Sequence, residues 1–147
     1  VLVGSLEAMG YLEELGLWIY RTSGEGEHPI LLAVMILWVA AIASAIVDNI
    51  PFTAAMIPTL KGLAVHGVNV HPLMWALAMG AGFGGNATPI GSSANVMTVA
   101  ISERSGKPIT AREWMRVGLP VMLITCTVAT VFLVVDLYFF DRLYSYP

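Results

Sequence analysis

Residues 117–140 read "VGLPVMLITCTVATVFLVVDLYFF", and no other stretch narrows the possible folds as much. Roughly two dozen residues with one formal charge, Asp136, make a helix of about 36 Å, enough to cross a hydrocarbon core with some tilt. Such a run belongs either in a bilayer or at the centre of a large soluble core. Composition decides between the two. Only 12% of the 147 residues are charged and 57% are hydrophobic, so the chain lacks the polar shell of a soluble domain. It reads as all-α and integral to a membrane. A net charge of −3 offers no basic surface, so nucleic acid is not expected as a partner.

Within this span Pro120 falls in the first turn, where a missing N–H is harmless. Trp114 before it, and Tyr138, Tyr144 and Tyr146 after it, suit the two interfacial belts. Asp136 lies near the outer end and reads as a snorkelling or paired charge. Cys126 has no ligand partners nearby and reads as a small core residue.

The remaining apolar runs are interrupted in a way that ordinary loops are not. "SAIVDNIPFTAAMIP", from Ser44 to Pro58, sets Asp48, Asn49 and Pro51 inside apolar sequence. The run Pro29 to Val47 is long enough for a span, but the next arm meets Lys61 after about ten residues, roughly 15 Å of helix. Two short arms with a polar tip predict a re-entrant hairpin over residues 28–66. Backbone of that kind is tolerated at membrane depth only where protein or a water-filled cavity satisfies its polar groups.

"GGNATPIGSSAN", from Gly84 to Asn95, is the second interruption. A continuous helix from Pro72 to Ile101 would carry Gly80, Gly82, Gly84, Gly85, Pro89 and Gly91 in its interior. Each glycine costs about 0.5–1 kcal/mol relative to alanine and the proline about 3. A transmembrane helix over 72–104, broken in its middle and resuming near Ser93 or Asn95, costs less.

Toward the start, Leu2, Leu6, Met9, Leu12, Leu15 and Ile19 recur at helical spacing, with Glu7 and Glu14 on another face. Residues 1–27 are expected to form an interfacial or scaffold helix and a loop. Residues 105–116 are expected to be a loop with an amphipathic lead-in, "TAREWMRVG", to the span at 117–140. Arg104, Lys107, Arg112 and Arg116 are four of the seven basic residues, which puts that loop in the cytoplasm. The loops near Glu25 and His66 then lie outside. The chain opens on Val1 without a recognisable signal peptide, so a piece of a longer polypeptide is expected.

The two interruptions are where chemistry is expected. A broken helix leaves unpaired N–H groups at the start of one half and unpaired C=O groups at the end of the other, with partial charges that attract anions and cations respectively. Secondary transporters build midplane sites this way. Asn49, Asn86, Thr88, Ser92, Ser93 and Asn95 add side-chain oxygens and donors, and glycines such as Gly91 let backbone approach a ligand closely. Asp48 stands out, because an ionisable group inside a membrane is costly. It can bind Na⁺, carry a proton or balance helix dipoles, or it can simply cap the second arm with Pro51 in the first turn. For Asn86 to Asn95 the alternative is a tight helix crossing built on small residues. His66 and His71 lack ligand spacing, and no metal cofactor is expected.

The two motifs "WVAAIASAIVDNIPFTAAMIPTL" and "GGNATPIGSSANVMTVAISERSG" carry a resemblance. In this order they are similar to the P-protein branch of the ion transporter superfamily, which also holds arsenite pumps, sodium/proton antiporters and divalent-anion/sodium symporters. The similarity runs from about Leu32 to Leu133. It implies the C-terminal half of an inverted-repeat secondary transporter, usually a homodimer in the plasma (inner) membrane, whose N-terminal half supplies the matching hairpin and broken helix. By the same resemblance Asp48, Asn49 and Pro51 form the hairpin tip, and Thr88, Pro89, Gly91, Ser92, Ser93 and Asn95 the broken-helix loop. Na⁺ at Asp48, Asn49 and Asn95, or H⁺, is the coupling ion the resemblance suggests. The dicarboxylate symporters carry a Ser-Asn-Thr tip where this chain reads Asp48-Asn49-Ile50. An added negative charge disfavours a dianion, so a small inorganic ion is expected ahead of a di- or tricarboxylate.

Two other classes compete. A membrane hydrolase using Ser92 or Ser93 would need a base at membrane depth, and neither His66 nor His71 offers one. A non-transporting structural remnant is the other, because half an inverted repeat cannot alternate access alone.

Overall fold

The computed structural model describes residues 10–140, and among them every regular element is helical. Leu2, Leu6, Glu7 and Met9 of the first helical pattern, and Tyr144 and Tyr146 of the outer belt, lie outside the described residues. The elements are α1 (Tyr11–Thr22), α2 (Pro29–Ser44), α3 (Asn49–Leu63), α4 (Val70–Gly84), α5 (Ser93–Arg104) and α6 (Ala111–Phe140). A 3-10 turn, Ala64–His66, follows α3 and another, Gly85–Ala87, follows α4.

Local chemistry explains most of these boundaries. Pro29 opens α2, where its missing N–H costs nothing. Asp48 opens α3 by accepting a hydrogen bond from the Ile50 N–H at 3.2 Å. The Asn69 side chain does the same for α4, accepting from His71 N–H at 3.1 Å. The loop between α1 and α2 turns through Gly24, Glu25 and Gly26, all in the left-handed region.

The last helix begins earlier than the apolar run suggests. Thr110 and Glu113 form a reciprocal capping box, with Thr110 N–H donating to the Glu113 carboxylate at 2.9 Å and Glu113 N–H donating to Thr110 Oγ1 at 3.2 Å. The amphipathic lead-in and the span are therefore one helix of 30 residues, about 45 Å long. Pro120 consequently lies in the helix interior rather than in its first turn. Among the described residues α6 is the one helix long and apolar enough to cross a membrane unaided. Its inward stripe is Gly118, Met122, Cys126, Ala129, Leu133 and Leu137, while Ile124, Val128, Phe132 and Tyr138 are exposed.

The core is organised around α4. Leu73, Ala76, Leu77, Gly80, Ala81 and Gly84 make one buried face at helical spacing. This face meets α2 so closely that a Cβ on Gly80 or Gly84 would overlap the carbonyls of Leu37 and Ala41. The crossing is the small-xxx-small packing that lets helix backbones touch. The two arms α2 and α3 are joined by residues 45–48, but they barely pack on each other, and both rest on α4 instead. In turn α1 lies on α3, with Gly16 seated against Thr59. The Tyr20 and His66 rings meet at 5.2 Å, tilted by 46° to each other.

Candidate functional site: the break between two half-helices

Helix α4 ends at Gly84 because the chain must pass Gly85 and Gly91 through a space with no room for side chains. A Cβ on Gly91 would stand 2.9 Å from the Ser44 carbonyl and against Gly85 backbone, and one on Gly85 would meet the Gly91 carbonyl at 2.8 Å. The chain then runs extended through Thr88 and re-enters helix at Ser93, with Ser92 as N-cap accepting from the Asn95 N–H at 3.3 Å.

Polar side chains fasten this break. Asn95 spans it, its amide nitrogen donating to the carbonyls of Gly85 at 2.8 Å and Thr88 at 3.0 Å. The Thr88 hydroxyl donates to the Ala45 carbonyl, which ties the break to the turn between α2 and α3. Ser44, wholly buried, donates to the Ala81 carbonyl at 2.7 Å. From α6 the Trp114 indole N–H donates to the Asn86 carbonyl at 3.1 Å. The carbonyls of Ala81, Gly85 and Asn86 thus each accept a side-chain hydrogen bond inside the fold, and Ala81 also accepts the Gly85 N–H. Ser93 is exposed and Pro89 half-buried beside it.

The turn at Asp48 meets the break through its first residues. Ser44 and Ala45 touch Gly85, Thr88 and Gly91 directly. Asp48 itself is spent on its own helix start, half-buried, with its carboxylate on the Ile50 amide. The capping role is therefore present in the geometry, and Pro51 sits exposed in the first turn of α3. Asn49 lines an open groove of about 410 Å³ between α3 and α4, together with Thr53, Ala78 and Gly82. Among the described residues no cluster of three or more His, Cys, Asp or Glu side chains forms a metal site.

Residues 1–145 match the family of citrate transporters. The chain belongs to that family. The P protein of Homo sapiens is 41% identical over 133 residues, covering 88% of this chain and 16% of that protein. The 46 kDa membrane protein of Mycobacterium leprae is 36% identical over 136 residues, covering 90% of this chain and 31% of the relative. A protein named as a transporter in Mycobacterium tuberculosis is 39% identical over 136 residues. The chain therefore spans between about a sixth and a third of the length of these relatives. No solved structure matches it significantly. The kinship with the P protein expected from the two motifs holds, and this citrate transporter family member is a membrane protein.

Three residues at the break escaped the sequence reading. Ser44 looks like any small helical residue, yet it donates to a carbonyl on α4. Trp114 resembles a headgroup anchor, but its N–H turns inward to Asn86. Gly118 looks like a helix-weakening residue, although a Cβ there would collide with the Asn86 carbonyl. No local pattern signals them, because their partners are 28 to 37 positions away.

Proposed function

We propose that these residues form the C-terminal half of a secondary active transporter that binds a small anion at the α4–α5 break. The observation that carries this reading is the interrupted helix itself, fastened by Asn95 and joined to the neighbouring turn by Thr88. The amide groups at the start of α5, with the Ser92 and Ser93 hydroxyls, suit an anion. The negative end of the α4 dipole, with Asn49, Asn95 and Asp48, suits Na⁺ or a proton as coupling ion. Asn86, Pro89 and Gly91 shape the loop. The N-terminal half of the same polypeptide completes the site, and two copies form a dimer in the plasma membrane.

A carboxylate such as citrate is the second reading, favoured by the family's own description. The cap geometry also softens the objection to it. The Asp48 charge lies against the positive end of α3, so a dianion nearby meets less repulsion than a bare carboxylate would exert.

The test uses the full-length polypeptide in liposomes. Phosphate, sulfate, succinate and citrate are offered in turn against imposed Na⁺ and pH gradients. Saturable, gradient-dependent accumulation of one of them supports the proposal, and the anion that accumulates decides between the two readings. Absence of gradient-dependent flux for all four, from protein that inserts and remains monodisperse, overturns it. Residues 1–147 reconstituted alone should show no saturable flux.

A further inference from the structure

Two tryptophans tie α6 to the rest of the bundle through their indole N–H groups, and they do so at different places. Trp38, on α2, donates to the Thr130 hydroxyl at 3.1 Å, and Thr130 passes the bond on to the Cys126 carbonyl at 2.8 Å. That tie lies along the middle of α6 and touches nothing in the break. Trp114, in the first turn of α6, donates instead to the Asn86 carbonyl at 3.1 Å, inside the break. One helical turn later, Gly118 is buried against the same carbonyl and against the Trp114 ring, with no space for a methyl group. The Asn86 carbonyl is thus held against one face of α6, by the Trp114 donor and by the glycine surface at Gly118.

We infer that Trp114 and Gly118 act as a positioning pair for the break, setting where the Asn86–Gly91 loop lies relative to the start of α5. This rests on the proposed function insofar as loop position translates into solute affinity. The loop's other ties come from Thr88 to Ala45 at the end of α2 and from Asn95 on α5, so the α6 tie is the one that reaches Asn86. The Trp114 side chain need not touch solute for this role. It acts through the Asn86 backbone.

The experiment compares Trp114→Phe, which keeps an aromatic ring against Gly118 but loses the N–H, with Trp38→Phe, which deletes the same type of bond away from the break. Gly118→Ala is the third variant, inserting a methyl where the Asn86 carbonyl sits. Each is placed in full-length protein carrying Cys126→Ala and Ile90→Cys, Ile90 being an exposed residue of the loop at 60%. Maleimide labelling of Cys at that position reads loop position without any knowledge of the solute. Transport of the anion that the wild type accumulates is then measured in the same variants. Trp114→Phe and Gly118→Ala should each change the labelling rate at least threefold and raise KM about three- to tenfold, with the maximal rate nearly unchanged, as expected for one lost hydrogen bond. Trp38→Phe should leave both readouts at the parent value. Equal labelling rates in Trp114→Phe, Trp38→Phe and parent would overturn the inference, because Trp114 would then be a structural tie like Trp38. A labelling change without any change in KM keeps the positioning role and counts against solute binding at the break, so the two failures are distinct. If Gly118→Ala fails to insert, the Trp114→Phe comparison alone decides.

Discussion

Gly80→Ala is the most direct test of how the bundle is held together. Gly80 and Gly82 lie on the same helix, two residues apart, and both accept alanine without backbone strain. They differ in what a Cβ would meet. At Gly80 it would overlap the Leu37 carbonyl and press on the Ala40 methyl at 3.0 Å, whereas at Gly82 nothing lies within 4 Å. A backbone carbonyl cannot rotate away, so α2 must retreat by about 1 Å along the contact, loosening the dispersion contacts of the whole face. Overpacking of this kind costs about 1–3 kcal/mol. Any gain in helix propensity, about 0.5–1 kcal/mol, is common to both substitutions and cancels between them. The difference between Gly80→Ala and Gly82→Ala should therefore be the strain alone, about 1–3 kcal/mol. Thermal unfolding of the full-length protein in detergent can be followed by thiol labelling of the buried Cys126, with any other cysteines of the polypeptide replaced. Gly80→Ala should unfold several degrees below Gly82→Ala, which should match the parent or exceed it. Identical midpoints for the two variants would refute close α2–α4 backbone contact as the basis of the fold.

Orientation can be read by thiol chemistry: in a Cys126→Ala background, Lys107→Cys should resist impermeant reagents in intact cells and Glu25→Cys should react, and the reverse pattern would invert the topology. Asp48→Asn keeps the cap, because asparagine accepts the Ile50 N–H as well as aspartate does. It should fold normally but transport without regard to Na⁺ or pH gradients, and retained gradient dependence would leave Asp48 as a cap alone. Asn95→Asp removes the side-chain donors to the Gly85 and Thr88 carbonyls and leaves Thr88 with the Gly91 N–H, at a cost of about 1–3 kcal/mol. Its unfolding midpoint should fall below the parent's, and a parent-like midpoint together with parent-like KM would show that the Asn95 amide does not brace the break.

Much of this architecture follows from short-range rules that a sequence expresses directly. Glycines at 80, 82, 84 and 85 with Pro89 make a continuous helix too costly, so the interruption at Gly84 is already implied by propensity. Asp48 ahead of Asn49-Ile50-Pro51 carries a helix-start signature, one of the readings the residues allowed, and α3 begins there. Cys126 falls on the buried stripe of α6, as its apolar surroundings suggest. The start of α6 was legible too, because the capping box is written in Thr110-x-x-Glu113. Hydropathy alone placed the helix later and put Pro120 in its first turn.

What the chain's order of residues does not contain is the choice of neighbours. The turn at Asp48 suggests two arms folded on each other, but α4 offers α2 a glycine face that allows backbone contact, and that contact is closer than anything α3 presents. The same holds for the polar groups. Asn95 and Thr88 were readable as ligand-facing, while the fold spends their donors on carbonyls of the break and of the α2–α3 turn. Trp114 reads as an interfacial anchor until α6 is laid against Asn86. Propensity, capping and hydropathy act over a turn or two of chain, so sequence alone determines where helices start, stop and turn apolar. Which orphan carbonyl meets which donor depends on helices many residues apart arriving at contact distance, and only the tertiary structure decides that.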